Sequence, residues 1–474
     1  MELHLDLRAA AGRTLRARAE YALREAIRDG RLAPGARLPA TRALASELGV
    51  SRGVIADAHS QLAAEGYLRA RRGAGTTVAP AVPSAVASRA PRADTREPSG
   101  RPRHDLRPTL PALDGFPRAA WLASTGRVIR SVADERLDYP TMHGEPELRA
   151  ALAAWLARTR GTMADPSQVV VTGSMQHGLP LVWRLLLERG VRRVGVEEPG
   201  WGRIRETLEA GGLEAVPVAV DEHGLNADTL ARLDLGAVSV TPAHQFPTGT
   251  VLDPGRRAAV VAWARERGAF VLEDDYDGQF RYDRQPIGSL QGFAPDLVIY
   301  GGSASKTLAP ALRIGWLILP PVLTIALRPE HGTLRGTPPT IDQLILADLI
   351  ERGDVDRHLR RQRQRYRRRR NALLEALAAA LPEAQVRGAA AGLFVVLLLP
   401  TSYHETVVAS AVADLGVRVE TLGAQKQAAL IVGYANLPEA AAADAVATLA
   451  AAVRAASQEQ PSGDFEHSAD SDAT

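Results

Sequence analysis

The chain has 474 residues, of which 46% are hydrophobic and 23% are charged, so it is long enough for two or three domains with sizeable cores. It contains no cysteine, which excludes disulfide bonds and thiolate metal sites. The net charge of +3 is unevenly spread, because residues 1–79 contain 13 arginines against eight acidic residues and so favour a polyanionic partner. No apolar run reaches membrane-spanning length and the first residues lack the apolar core of a signal peptide, so we expect a soluble, cytoplasmic protein.

The first segment of the chain, up to about residue 79, has the pattern of a helix-turn-helix. Apolar residues repeat at helical spacing from Leu15 to Ile27, and the sequence GRLAPG then ends that helix. Thr41 can cap a short second helix, and Ser51 can cap a longer third helix after a tight turn at Gly49. Two capped helices joined by a glycine-containing turn form a helix-turn-helix.

A short basic stretch, RARRGAGTTVA, follows these helices and has the glycines and β-branched residues of a hairpin. A hairpin in this place would be the wing of a winged helix, and the whole unit is predicted to bind double-stranded promoter DNA. Arg52 would enter the major groove, while the other basic residues approach phosphates or the minor groove. The predicted DNA-contacting residues are Arg37, Thr41, Arg42, Ser51, Arg52, Arg71 and Arg72. The alternative is a protein-interaction module whose arginines form a solvated face.

Two polar segments flank the larger part of the chain. Residues 80–104 are rich in Pro, Ala, Ser and Arg without apolar periodicity, which predicts a flexible linker. Residues 457–474 contain five acidic residues and neither lysine nor arginine, which predicts a disordered tail. The predicted organisation is therefore a DNA-binding domain at 1–79, the linker, a second domain at 105–456 and the tail.

Residues 105–456 alternate apolar strands with amphipathic helices. The strand-like segments are QVVVTG, VRRVGVEEP, EAVPVAV, GAVSVTP, AFVLEDDYD, DLVIYGG and GWLILP, and helical segments lie between several of them. This rhythm predicts an α/β fold with a mostly parallel sheet that is covered by helices on both faces. Ligands of such sheets bind beyond the carboxyl ends of the strands, where the unusual polar residues of this chain also fall.

One lysine in the second domain stands out because the chain uses arginine almost everywhere else. Lys306 and Lys426 are the two lysines, against 55 arginines. Arginine stays protonated and cannot act as a nucleophile, whereas a lysine amine can be deprotonated and condensed with a carbonyl. The stretch YGGSASKTLAPALRIGWLILP around Lys306 therefore suggests a Schiff-base site.

The strand ends also carry groups that suit an aromatic cofactor with a ring nitrogen and a phenolic oxygen. Asp274 could hold a pyridinium proton, and Tyr276 could bond the hydroxyl oxygen. Trp201 could stack on the ring, while His244 and Gln245 are possible donors to the phenolic oxygen. Each of these signals is weak alone, but their joint order along one α/β pattern predicts a pocket for pyridoxal 5′-phosphate.

A phosphate-binding end can be assigned to the same pocket. The segment after QVVVTG begins a helix, whose free N–H groups and dipole attract an anion. The predicted phosphate-binding residues are Ser174, Met175 and Gln176 at this helix start, with Ser303, Ser305 and Arg313 flanking Lys306.

Five segments of the second domain resemble the fold-type I aminotransferase domain, with its large and small subdomains: DYPTMHGEPELRAALAAWLARTRG, EEPGWG, TPAHQFPTG, EDDYDGQFRYDRQPIGSLQG and YGGSASKTLAPALRIGWL. Preceded by a GntR-like winged helix-turn-helix, the chain resembles the MocR/GabR-type transcription regulators and is similar to their PdxR-like members. This resemblance implies that Lys306 forms the covalent bond to the cofactor. It also implies that Tyr139 reaches the cofactor phosphate of a neighbouring subunit, and hence a head-to-tail homodimer.

Two positions depart from the pattern of that family. The phosphate-binding turn reads Gly173-Ser174-Met175-Gln176-His177, where Ser-Gly-x-Gln-Gln is common. Aminotransferases also place an arginine that binds the substrate carboxylate near QAALIVGYANLP, where this chain has Leu430, Ile431 and Val432. Arg418 is either a substitute for that arginine or a surface residue. Efficient transamination of an α-amino acid is therefore not expected.

The densest charge in the chain lies in DRHLRRQRQRYRRRRNALLEAL, with nine arginines from Arg357 to Arg370. Its pattern is helical, and it resembles the long helix that joins the two cofactor subdomains. We interpret it as a solvated helix with domain or dimer contacts. The alternative is a second surface that contacts DNA.

The sequence as a whole therefore predicts a transcription regulator that binds pyridoxal 5′-phosphate. By resemblance its target would be vitamin B6 synthesis genes, or next an amino acid or amine metabolism operon, with the cofactor or its adduct with an amine as effector. One alternative is an aminotransferase with an attached winged-helix domain. Another is a DNA-binding scaffold whose pocket is empty.

Overall fold

The structure is a computed structural model that describes residues 5, 7, 10–12, 14–71, 75–80, 102–139, 141–283, 287–328, 330–331, 336–401, 403–423 and 428–458. The chain forms two compact units, residues 1–100 and residues 101–474, and each is described by itself. Arg72, most of the predicted linker and nearly all of the predicted acidic tail lie outside the described residues.

The first unit is a three-helix module followed by a two-stranded hairpin. Its elements are α1 (Leu15–Arg28), α2 (Thr41–Glu47), α3 (Arg52–Ala64), β1 (Leu68–Arg71) and β2 (Gly75–Val78). The two strands pair antiparallel, with Leu68 opposite Val78, and Arg37 forms an additional bridge to Thr77. The predicted winged helix-turn-helix is confirmed.

Side-chain caps set the boundaries of these helices. Ser51 caps α3 as predicted, because its Oγ accepts a hydrogen bond from the backbone N–H of Val54 at 3.4 Å. The prediction that Thr41 caps α2 is wrong, since Thr41 is the first residue of that helix and the cap position is Ala40. The apolar face of α1 also starts later than predicted, because Leu15 is 51% exposed.

The core of the module is apolar and closely packed. Its fully buried side chains include Leu23, Leu32, Leu44, Ile55 and Leu62, which come from all three helices and from the turn after α1. Burying a leucine or isoleucine side chain contributes about 1.5–3 kcal/mol. Burial of this leucine-rich face therefore holds the three helices together.

The second unit contains the remaining elements. Its helices are α4 (Arg118–Ser131), α5 (Pro146–Arg160), α6 (Met175–Glu188), α7 (Gly202–Ala210), α8 (Ala227–Arg232), α9 (Pro254–Arg267), α10 (Ala304–Thr307), α11 (Pro321–Ile325), α12 (Thr340–Glu351), α13 (Asp354–Ala380), α14 (Glu405–Asp414) and α15 (Ala442–Gln458). Its strands are β3 (His104–Asp105), β4 (Val169–Thr172), β5 (Arg193–Glu198), β6 (Glu214–Asp221), β7 (Gly224–Leu225), β8 (Ala237–Val240), β9 (Phe270–Asp274), β10 (Val298–Ser303), β11 (Gly315–Ile318), β12 (Gln385–Arg387), β13 (Phe394–Leu398), β14 (Val417–Arg418), β15 (Glu420–Thr421) and β16 (Ala429–Gly433).

The large sheet of this unit has eight strands in the order β4-β11-β10-β9-β8-β5-β6-β7. The five central strands, β10, β9, β8, β5 and β6, are parallel to one another, whereas β11 runs antiparallel to both of its neighbours. Strands β4, β8, β9 and β10 are buried along their whole length, which explains their continuous apolar sequences. The predicted mostly parallel α/β sheet is confirmed.

A smaller antiparallel sheet, in the order β12-β13-β16-β15, forms a second part of this unit. In β16, Ile431 pairs with Val396 of β13 on one side and with Glu420 of β15 on the other. The 27-residue helix α13 leads into this part of the chain. In the described ranges we find no helix that combines the length and the apolar character needed to cross a bilayer.

One buried histidine gives the first unit a predicted dependence on pH. His59 of α3 is 6% exposed, and neither ring nitrogen has a hydrogen-bond partner in the described part of the chain. Burial lowers the pKa of His59 below its ordinary value of 6.5. The neutral ring is therefore favoured in the folded state, and stability is lost as the pH falls below about 6.5 through the lower folded-state pKa.

We expect the His59→Leu variant to lose less stability than the wild type between about pH 7 and about pH 5, because leucine has no charge to bury. The midpoint of thermal unfolding of the full chain, recorded at each pH, measures this difference. Binding to operator DNA at each pH shows whether the first unit is still folded. His223→Leu is the matched control, since His223 is exposed in the second unit. Identical pH profiles for the wild type and His59→Leu would contradict the prediction.

Candidate functional site

A cavity of about 260 Å³ lies at the carboxyl ends of the central strands, with Lys306 in its wall. Ten of the thirteen residues predicted to bind the cofactor line it: Ser174, Met175, Gln176, Trp201, Asp274, Tyr276, Ser303, Ser305, Lys306 and Arg313. These residues lie at or after the ends of four strands, β4, β5, β9 and β10. The parallel sheet therefore brings them together, as its topology requires.

One end of the cavity has the chemistry of an anion site. Ser174 caps the 14-residue helix α6, and its Oγ accepts a hydrogen bond from the N–H of His177 at 3.1 Å. The guanidinium of Arg313 donates to that same Oγ at 3.3 Å and to Nε2 of His177 at 3.1 Å. A helix start and a guanidinium that converge on one point attract a phosphate.

The backbone around this anion site is constrained in two places. Arg313 has φ of +51° and is the one non-glycine residue with positive φ in the part of the chain that the structure describes; such backbone strain costs on the order of 1 kcal/mol. Gly315 leaves no room for a side chain, since a Cβ there would lie 2.6 Å from the carbonyl carbon of Ser174. Strand β11 therefore packs directly against the start of α6 and fixes where Arg313 enters.

Asp274, at the end of β9, presents a buried carboxyl group to the cavity. It is 8% exposed, and its Oδ1 has no hydrogen-bond partner among the described residues. Burial raises the pKa of Asp274 to about 7, an effect that the charges of Asp275 and Asp277 reinforce and that of Lys306 opposes. A buried carboxylate without a donor is costly, so this group suits a ligand that brings a cationic N–H, such as a protonated pyridine nitrogen.

The amine of Lys306 has the properties of a nucleophile. Burial lowers the pKa of Lys306 below its ordinary value, and the nearby negative charges of Asp274 and Asp277 oppose that effect. A lower pKa increases the fraction of neutral amine at neutral pH, and the neutral amine is the form that attacks a carbonyl carbon.

His244 lies behind the cavity and does not line it. Its Nδ1 lies 3.1 Å from the hydroxyl oxygen of Tyr276 and 2.9 Å from Oδ2 of Asp277. The close approach depends on Gly392, where a Cβ would lie 2.1 Å from Cε1 of His244. His244 therefore positions the Tyr276 hydroxyl, and its predicted role as a direct donor to the cofactor stays a prediction.

Gln245 also does not line the cavity, and its amide is used within the loop that follows β8. Its Nε2 donates to the carbonyl oxygens of Pro199 at 2.9 Å and Phe246 at 2.7 Å, and its Oε1 accepts from the hydroxyl of Thr248 at 2.7 Å. The predicted role of Gln245 as a donor to a ligand oxygen stays a prediction.

Tyr139 is 94% exposed and lies in a separate surface depression beside Thr340. This position is outside the cavity of Lys306. The role predicted for Tyr139, at the cofactor of a neighbouring subunit, stays a prediction.

Ile431 is one of the three apolar residues in the segment where the family resemblance predicts a carboxylate-binding arginine, and it is buried. It belongs to an apolar cluster with Phe394 and Val396, against which Phe246 and Tyr276 of the cavity wall pack. Arg418, the possible substitute, does not line the cavity; its backbone pairs with Asp105 in the β3–β14 ladder.

Five cavity-lining residues were missed by sequence reasoning: Thr109, Thr241, Phe246, Pro310 and Glu420. Thr241 and Phe246 follow β8, and Pro310 follows α10, so strand-end position could have suggested all three. Thr109 and Glu420 come from segments far from any motif. No local signal marks those two.

On the first unit, the predicted DNA-binding arginines differ from the other arginines in their partners. Arg37, Arg42, Arg52 and Arg71 are exposed and have no ion pair with any residue in the described ranges. By contrast, the α1 residues Arg16, Arg24 and Arg28 pair with the acidic residues Glu20, Glu65 and Glu25. Unpaired arginines at the helix start and on the wing are available to phosphates.

Helix α13 has one arginine face directed at the protein and another directed outward. Arg363 donates to the carbonyl oxygen of Gln279 at 2.7 Å, and Arg369 donates to that of Ala435. The exposed arginines are Arg357, Arg360, Arg361, Arg367 and Arg368. Of these, Arg360, Arg361 and Arg367 make no hydrogen bond or ion pair with the residues that the structure describes.

The buried Asp274 carboxyl gives the cofactor-free protein a predicted pH dependence of stability. Its folded-state pKa of about 7 lies above the ordinary value of 3.8, so the folded state holds the proton more tightly than the unfolded state. Stability is therefore lost as the pH rises from about 4 to about 7. We expect Asp274→Asn to gain roughly 1–4 kcal/mol relative to the wild type over this range.

Chemical unfolding of cofactor-free protein at several pH values measures this gain. Asp296→Asn is the control, because Asp296 is exposed and its replacement should leave the wild-type profile unchanged. The prediction is wrong if Asp274→Asn and the wild type respond to pH in the same way.

Comparison with known proteins agrees with this architecture. The chain matches the family Aminotransferase class I and II over residues 114–447, and the family of bacterial regulatory proteins named gntR over residues 15–78. The multiple substrate aminotransferase of Thermococcus profundus superposes with a TM-score of 0.68 at 24% identity, over 75% of this chain and 92% of that one. At this identity the likeness supports the fold alone.

Two regulators are similar over most of the chain. The HTH-type pyridoxine biosynthesis transcriptional regulator PdxR of Corynebacterium glutamicum is 34% identical over 400 residues, which cover 84% of this chain and 86% of that protein. The HTH-type transcriptional regulator TauR of Rhodobacter capsulatus is 33% identical over 388 residues, which cover 77% of this chain and 80% of that protein. The chain therefore belongs to the family of HTH-type transcriptional regulators that join a GntR-type DNA-binding domain to an aminotransferase class I and II domain.

Proposed function

We propose that this protein is a transcription regulator that senses pyridoxal 5′-phosphate in the Lys306 cavity. The observation that carries the proposal is the pairing, in one cavity, of a partly buried lysine with a buried carboxyl oxygen that lacks a donor. When bound, the cofactor supplies an aldehyde carbon and an electron-accepting pyridine ring. The attached winged helix supplies the DNA-binding output.

Each end of the cavity has a separate task in this proposal. Lys306 provides the amine for covalent attachment, and Asp274 holds the proton of the ring nitrogen. Arg313 and the start of α6 bind the phosphate, which is fully charged and needs both a cation and free N–H groups. Tyr276, positioned by His244, directs its hydroxyl at the cofactor.

The target we propose is the synthesis of vitamin B6, because PdxR, a regulator of pyridoxine biosynthesis by name, is similar over most of the chain. An amino acid or amine metabolism operon is the second choice. The cofactor, alone or combined with an amine, must contact two arrangements of the protein differently, since a ligand that binds both equally shifts neither.

We also propose a head-to-tail homodimer in which Tyr139 contributes to the neighbouring subunit's site. The exposure of Tyr139 and its place outside the lining of its own chain's cavity support this arrangement. An enzyme of the aminotransferase class remains the rival function, and Ile431, where an arginine would bind the substrate carboxylate, argues against it.

A footprint on DNA flanking the protein's own gene, with and without pyridoxal 5′-phosphate, tests the sensor. We expect the cofactor to change the footprint of the wild type. The footprint of Lys306→Arg should be the same with and without the cofactor, because arginine cannot form the covalent bond. Borohydride reduction should attach the cofactor permanently to Lys306. The Lys426→Ala variant, which lacks the other lysine, should retain as much attached cofactor as the wild type. A wild-type footprint that ignores the cofactor would contradict the proposal, and steady amino transfer to a keto acid would favour the enzyme.

The DNA-binding surface can be tested with a pair of arginine variants. Arg52→Ala should weaken binding to the operator by roughly 1–3 kcal/mol, because Arg52 is the exposed first residue of α3 and is proposed to contact base edges. Arg16→Ala is the control, since Arg16 lies on α1 and pairs with Glu20. Equal losses for both variants, measured by fluorescence anisotropy, would argue against this surface.

The outer face of α13 gives a further prediction. We expect replacement of Arg360, Arg361 and Arg367 by glutamine to leave the salt dependence of DNA binding unchanged, because we interpret this face as solvated. Three lost phosphate contacts would instead reduce the slope of log K against log salt by roughly 2.7. A reduction of that size would show that α13 contacts DNA.

A further inference from the structure

An acidic side chain, Glu420, lies on the wall of the same cavity as Lys306. It comes from β15, where it stands directly opposite Ile431 of β16 in an antiparallel pair. Residues directly opposite in such a pair project from the same face of the sheet. The side chain of Glu420 therefore emerges beside that of Ile431.

This corner of the cavity is unfavourable for a ligand carboxylate for two reasons. The apolar lining residue Phe246, which packs against the buried cluster of Ile431 and Phe394, offers no donor to an anion. The carboxylate of Glu420 adds electrostatic repulsion between like charges. An apolar wall next to an acid is instead suited to an alkyl chain that ends in a positive charge.

The charges around Glu420 leave it without a dedicated cation. In the described part of the chain it makes no hydrogen bond or ion pair, and it interacts electrostatically with Lys306 and Arg107. Arg107 is already held by Asp105, with Nε at 2.9 Å from Oδ1 and Nη2 at 2.7 Å from Oδ2. Lys306 also interacts with the negative charges of Asp274 and Asp277, so it is not a dedicated partner of Glu420 either.

We propose that Glu420 makes this cavity selective for a cationic amine without a carboxylate, such as a short diamine, by pairing with its distal ammonium group. The alkyl chain lies along Phe246, which also lines the cavity. This inference rests on the proposed function, because it names the class of amine that joins the cofactor in the sensor site. Such a cationic amine differs from the α-amino acid that the fold would otherwise suggest as the ligand.

Three probes with a four-carbon chain test the selectivity by calorimetry on the full-length, cofactor-loaded protein. 1,4-Diaminobutane, butylamine and 4-aminobutanoate share a four-carbon amine and end in a positive, a neutral and a negative group. We expect the diamine to bind roughly tenfold more tightly than butylamine, and 4-aminobutanoate to bind more weakly than both. Butylamine that binds as tightly as the diamine would overturn the proposal.

Glu420→Gln removes the charge and keeps the shape of the side chain. The variant should lose the tenfold preference for the diamine and retain the affinity for butylamine, whereas a merely structural defect would weaken all three probes. Glu383→Gln is the matched control, because Glu383 is exposed and does not line the cavity. An unchanged preference in Glu420→Gln would also overturn the proposal.

The visible absorbance of the loaded protein distinguishes a failure of the Glu420 proposal from a failure of the proposed sensor function. A normal cofactor band without diamine preference refutes the role of Glu420 and leaves the sensor function standing. A protein that takes up no cofactor refutes both.

Discussion

Four acidic side chains are buried at the end of β9: Glu273, Asp274, Asp275 and Asp277. The need to compensate their negative charge determines which groups pack around the cavity. Burying a carboxylate is costly unless it is paired and hydrogen-bonded. Asp275 is satisfied by the fully buried Arg160, whose Nε and Nη2 donate at 2.6 and 2.9 Å. Glu273 accepts two backbone N–H groups at 3.0 and 3.1 Å, and Asp277 lies against a histidine. Asp274 alone of the four faces the cavity.

This distribution explains why the site is held in place before any ligand arrives. The hydrogen bonds of Asp275, Glu273 and Asp277 tie β9 to α5, to the loop before β10 and to the loop after β8, so the strand end that carries Asp274 cannot shift independently. The cost of burying Asp274 is left for a ligand to relieve. A cation that enters the cavity can donate to the Asp274 carboxylate, which has no donor on Oδ1 among the described residues. This interaction is a physical basis for coupling ligand binding to the conformation of this domain.

Much of the fold and of the cavity could be predicted because parallel strands bring their ends to one edge. The apolar strands were recognised from continuous hydrophobic runs, and residues directly after them, such as Asp274 and Trp201, do line the cavity. His244 and Gln245 do not line the cavity, because they lie in a loop, where backbone direction is not encoded in a short pattern. Gln245 follows a strand as predicted, yet its loop turns the amide back onto carbonyl oxygens. Glu420 was missed because its place at the cavity depends on pairing between β15 and β16, which sequence periodicity does not specify.

The unusual backbone of Arg313 restricts how this position can vary. A left-handed conformation is adopted most easily by glycine, whereas the anion site needs a long, permanently charged side chain. Glycine would relax the chain and discard the charge, while lysine would keep the strain and lose the flat, forked donor. Few single substitutions tolerate the left-handed backbone and also keep a forked, charged side chain. The residue at this position should therefore be replaced slowly during evolution, even in relatives whose target genes have changed.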